Sequence, residues 1–137
     1  MKNYIVLFLS CLLSSAATVR AEEETDLGKH MSAMNDAFKA FRKETDPVKG
    51  AELAREAQVA AMKAALETPT LITEMPDGPD KVKAALEYRK MSATLVVTLC
   101  EVEQAFLDGK LEDVAKIIEG LKDLKKEGHK KFIKEDE

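Results

Sequence analysis

Few side chains in this sequence can hold a metal or move a proton. The 137 residues include two histidines, His30 and His129, two cysteines, Cys11 and Cys100, and six methionines. His129 stands alone in LKDLKKEGHKKFIK, a lysine run with a glycine directly before the histidine, and His30 precedes Met31 in GKHMSAMNDAF. Imidazole nitrogen and thioether sulfur are both ligands for iron. Whether these two distant stretches meet in space therefore decides what chemistry the chain can do.

Other chemistries find less support. Helix bundles often hold two irons with Glu-x-x-His pairs, but Lys126 stands three residues before His129 and Leu27 three before His30. The acids Glu101 and Glu103 read more simply as a solvated helix face. No Gly-x-Ser-x-Gly, phosphate loop or glycine-rich nucleotide pattern occurs, and no Cys–His or Ser–His arrangement is convincing. No catalytic residues are assigned, and an enzyme is not expected. Cys100, between Leu99 and Glu101, reads as a small buried hydrophobe.

Residues 1–21, MKNYIVLFLSCLLSSAATVRA, have a basic start, an apolar run from Tyr4 to Leu13 and small residues up to Ala21. That order is the pattern of a secretory signal peptide. The apolar run is shorter than the ~20 residues a spanning helix needs, and Cys11 sits too deep within it to suit a lipoprotein. Removing 21 of 137 residues leaves 116 (22–137), enough for one small domain. Lys2 and Arg20 leave with the signal, which takes the formal net charge from −4 to −6. An acidic chain of this kind argues against nucleic acid or an anionic membrane surface as partner. Only Cys100 then remains, so no internal disulfide can form.

The apolar spacing is helical throughout. Leu27, Met31, Met34, Phe38 and Phe41 step by four, three, four and three, a stripe suited to a bundle core. ETDPVKG ends that helix, and Asp46-Pro47 starts a second, alanine-rich one, since proline at the first helical position loses no needed N–H. TPTLITEMPDGPD is expected to be a loop of about a dozen residues. A third helix is predicted from near Asp80 to Leu107, with Val82, Leu86, Leu95, Leu99, Val102 and Phe106 inward. After the stop at Asp108-Gly109, a fourth runs from about Leu111 to Lys134, with Leu111, Val114, Ile118 and Leu121 on one face. The expected fold is all-α, an antiparallel up-down-up-down four-helix bundle, with first and last helices as neighbours.

In that bundle Met31, near the start of the first helix, and His129, near the end of the last, lie roughly one to two turns from the same end at ~1.5 Å of rise per residue. His129 is eleven residues beyond Ile118, which returns it to nearly the same helical angle, within or beside the apolar arc. There Lys125 and Gly128 interrupt the leucines and isoleucines, leaving a slot. A thioether and an imidazole at equal depth are an axial pair for haem. Each has a plainer reading, as core packing for Met31 and as a partner of the helix dipole for His129. His30 lies ~100° round the helix from Met31, off the stripe, where a surface role fits it better. Met34, one turn deeper, is the better substitute.

DLGKHMSAMNDAFKAF and LKDLKKEGHKKF resemble the first and last helices of the soluble cytochrome b562 family, and the proline-rich loop and FLDGKLEDVAKIIEGLK resemble its connections. The resemblance covers essentially all of residues 22–137. It implies a periplasmic bundle holding one non-covalent haem b per chain, with Met31 and His129 as axial ligands and electron transfer as the role. Lys125 stands where the family commonly has arginine, Gly128 replaces a bulky residue, and Ser92 replaces an aromatic, while Tyr88 one turn earlier is retained. The related cytochromes c′ carry C-x-x-C-H at this place. Here Lys125 and Gly128 occupy the cysteine positions, so no thioether attachment to haem can form. The expectations are a monomeric electron carrier in the periplasm of a Gram-negative bacterium, serving unidentified redox partner proteins, without nucleic acid or stable membrane association. The alternative is a haem-free bundle of the same descent acting as a periplasmic binding or interaction protein.

Overall fold

The computed structural model describes residues 25–133, so the expected signal peptide at 1–21, with Cys11, and residues 134–137 lie outside the described residues. Among the described residues there are four long helices, one isolated turn and no strand. We label them α1 (Asp26–Phe41), α2 (Pro47–Leu66), α3 (Thr70–Thr73), α4 (Pro79–Leu107) and α5 (Leu111–Phe132). The chain is the predicted four-helix bundle.

Local chemistry sets the helix ends. Thr25 Oγ1 accepts the Gly28 N–H at 3.1 Å and caps α1. Asp46 Oδ1 accepts the Lys49 N–H at 2.8 Å, with Pro47 opening α2. At the end of α4 the chain turns through Gly109 at φ +68°. The Gly109 N–H donates to the Phe106 carbonyl and the Lys110 N–H to the Ala105 carbonyl, both at 2.9 Å. This pair of bonds is the Schellman closure that a left-handed glycine permits.

The packing has a tight spine and an open seam. Alanines of α2 (Ala54, Ala57 and Ala61, each at most 1% exposed) let α4 come close. At Gly50 the approach is so close that a Cβ would lie 2.3 Å from the Phe106 ring. α1 packs on α2, and α5 packs on α4. Nowhere, however, do Cα atoms of α1 and α5 come within 8 Å. The first and last helices face each other without touching along their backbones.

Several expectations need correction. Val82 and Leu86 are 68% and 50% exposed, not inward. At ~100° per residue they stand roughly 100° and 140° round α4 from the buried Leu99, and the inner arc of those turns belongs to Tyr88 and Ser92. Leu111 is 40% exposed because it opens α5 at the end of the bundle. The expected loop contains α3, which buries Ile72. Cys100 is exposed, one step round the helix from the buried Leu99. Glu103 is not a freely solvated acid: its carboxylate accepts from Arg55 and, at 2.7 Å, from Gln58 Nε2.

Candidate functional site

The open seam is a cleft. About 950 Å³ of atom-free space, part of it open to solvent, lies between the facing helices. One wall is the α1 stripe, with Leu27, Met31, Met34 and Phe38. The other is α5, with Leu121, Leu124, Lys125, Gly128 and His129. Ala61 and Ala64 of α2 and Tyr88, Met91, Ser92, Leu95 and Leu99 of α4 also line it. Met31 and His129 thus line one cleft from opposite walls, as their matching depths in the sequence require.

The polar groups of the cleft are largely occupied with one another. The Tyr88 hydroxyl donates to the Ala64 carbonyl at 2.7 Å, and Ser92 Oγ donates to the Tyr88 carbonyl at 2.9 Å. Burial raises the Tyr88 pKa, against the opposing hydrogen bond with Ser92, so the phenol keeps its proton. At the mouth, Lys125 Nζ donates to Asn35 Oδ1 across the seam at 2.9 Å. His129 lies on the rim of the cleft and is exposed. Its pKa is lowered below 6.5 by desolvation first and by the Lys125 charge second. This favours the uncharged imidazole, whose nitrogen lone pair can bind a metal.

His30 lies elsewhere. It borders a shallow depression between α1 and α2 with Glu52, Glu56 and Lys63, away from the cleft. Met34, the substitute donor, does line the cleft and is 8% exposed. Sequence reasoning missed Met91 altogether, together with the contacts that α4 makes around His129. The Tyr88 ring meets Phe132 edge-on, with centroids 5.3 Å apart. Lys131 Nζ pairs with Glu87 Oε1 at 2.5 Å. The sequence held a signal for these: counting back from Leu99, the inner arc passes through Leu95, Ser92 and Tyr88, with Met91 on its flank.

A nonpolar slot with three thioethers, Met31, Met34 and Met91, one imidazole and a basic residue at its mouth matches the donor chemistry of a b-type haem site. Gly128 keeps the α5 wall thin. A Cβ there would meet Met91 Sδ at 3.3 Å. No helix among the described residues is long and apolar enough to cross a membrane. No curated protein matches the chain in a direct sequence comparison. A model of the family described as Cytochrome b562 matches residues 26–133, which is every helix of the bundle. On this match the chain belongs to the cytochrome b562 family.

Proposed function

We propose that this chain is a periplasmic electron carrier holding one non-covalent haem b, with Met31 and His129 as its axial ligands. The observation that carries the reading is the apolar cleft lined by both side chains from facing helices. The family is one of b-type haem electron-transfer proteins, which supports the same reading. When bound, the haem supplies a one-electron Fe(III)/Fe(II) couple. The protein's own part is to hold that group, keep water from it and tune it. His129 brings a neutral nitrogen from α5, and Met31 brings a sulfur from α1, which favours the reduced state. Leu95, Leu99 and Phe38 exclude water, and Lys125 carries a positive charge at the mouth, suited to an anionic edge of the group. The signal pattern expected at residues 1–21 supports a periplasmic location, and in this reading the electron is exchanged with partner proteins rather than used in catalysis by this chain.

Hemin titration of the purified chain tests the reading. The oxidised and reduced spectra should show the sharp bands of six-coordinate low-spin haem. His129→Ala should abolish them, and Met31→Leu should convert them to a five-coordinate, high-spin form. A chain that takes up no hemin would instead favour the haem-free interaction protein.

A further inference from the structure

One stretch of α4 makes three consecutive contacts with the turn of α5 that bears His129. Lys131 pairs with Glu87 at 2.5 Å, and Phe132 meets Tyr88 edge-on at 5.3 Å. Gly128 leaves room for Met91 Sδ, 3.3 Å from the place a Cβ would take. Residues 87, 88 and 91 thus hold residues 131, 132 and 128, which bracket position 129. Tyr88 is itself tied to α2 through its bond to the Ala64 carbonyl at 2.7 Å. The opposite wall lends α5 the exposed Lys125–Asn35 hydrogen bond at the mouth but no backbone approach within 8 Å. α5 also ends here, at Phe132, where a helix would otherwise fray.

We infer that Tyr88 and Phe132 are positioning residues for His129, a clamp by which α4 fixes the last turn of α5 before any ligand is present. This rests on the haem reading for its purpose, but the clamp itself belongs to the ligand-free chain. Its chemistry explains the division of labour among the three contacts. The Glu87–Lys131 pair is solvent-exposed on both sides, 54% and 38%, and exposed ion pairs hold little. The edge-to-face ring pair is directional and stable within the 4.5–7 Å range typical of such pairs. The Tyr88 hydroxyl locks the ring's own position. The clamp therefore depends on the two rings, with the ion pair a minor contributor.

The test uses the full chain with four variants: Tyr88→Phe, Tyr88→Leu, Phe132→Leu and Glu87→Gln. Melting curves first establish that each is folded. In the hemin-free chain, amide hydrogen exchange at residues 128–132 should quicken about tenfold in Tyr88→Leu and Phe132→Leu, equivalent to about 1.4 kcal/mol. Glu87→Gln should stay close to the parent, and Tyr88→Phe, which keeps the ring but loses its bond to the Ala64 carbonyl, should fall between the parent and Tyr88→Leu. Exchange in α2 and in the first half of α5 should not change in any variant. With hemin added, the two leucine variants should lose hemin about tenfold faster and show a high-spin fraction, and Tyr88→Phe, which keeps the ring, should retain more of the low-spin spectrum than Tyr88→Leu. Unchanged exchange at 128–132 in both leucine variants overturns the clamp. Uptake of no hemin by the parent chain would overturn the haem reading alone, and the exchange result would still decide the clamp.

Discussion

Glu103 shows how one residue can join two helices and record pH. Its carboxylate accepts Gln58 Nε2 at 2.7 Å and the Arg55 guanidinium, while the same Gln58 nitrogen donates to the Leu99 carbonyl at 3.2 Å. Burial alone would raise its pKa, but the hydrogen bonds from Gln58 and Arg55, with the Arg55 charge, outweigh it and the net shift is downward from 4.5. A carboxylate with a depressed folded pKa stabilises the native state fully above its unfolded pKa, and that stability is lost as pH falls through the folded value. Urea midpoints followed from pH 7 downward should therefore fall from about pH 4.5, and Glu103→Gln should flatten that part of the profile. An identical acid limb in the variant would mean that other carboxylates set the acid sensitivity. None of this was legible in the sequence, because Glu103 and Arg55 are 48 positions apart. Cys100 misled for a related reason. Its neighbour Leu99 is buried, but adjacent residues of a helix diverge by ~100° and need not share an environment. That Met31 and His129 line one cleft was legible because each lies on or beside a stripe whose phase is set by several apolar neighbours.

Among the elements, α2 explains why the bundle is tight on one side. Its inner face is almost all alanine and glycine, so its backbone lies against α4 and the bulk is supplied by Phe106 and Leu99 from the other helix. The alanine-rich composition announced this. The phase of α4 did not announce itself, because that helix has apolar residues on more than one face. Val97, exposed at 58%, continues the outer stripe of Val82 and Leu86, and composition alone cannot choose between faces. The tightness gives a paired prediction. Gly50→Ala would place a methyl 2.3 Å from the Phe106 ring, which is fully buried and cannot turn away. Overpacking of this sort costs about 1–3 kcal/mol or more, which outweighs the ~1 kcal/mol alanine gains over glycine in a helix. At Gly120, in the middle of α5, a Cβ meets nothing within 4 Å, so only the helix gain remains. Urea unfolding should find Gly50→Ala less stable by about 1–2 kcal/mol and Gly120→Ala more stable by about 0.5–1 kcal/mol, with unchanged slopes. Equal effects at the two sites would mean that the close approach at Gly50 relaxes freely.

The whole molecule is a spine of α2 and α4 carrying one arm on each side. α1 depends on α2 and α5 on α4. What joins the arms to each other is side-chain contact deep in the core and the exposed Lys125–Asn35 hydrogen bond at the mouth. A ligand held between Met31 and His129 would complete the ring of four helices, and it would do so only in the folded chain. Binding to the native state alone stabilises it by RT ln(1 + [L]/Kd), about 2.7 kcal/mol at a hundredfold excess over Kd. For a domain of this size that should raise the melting temperature by roughly 10 °C. The gain in protection against local opening should be larger for the two arms than for the spine, since the spine is already closed. Hydrogen exchange with and without hemin should show protection gained in α1 and in the second half of α5, and little change in α2. Protection spread evenly over all four helices, or none at saturating hemin, would mean that the seam is not where the ligand joins the fold. In the first case the arms would already be coupled through the core, and in the second the cleft between them would serve some other guest.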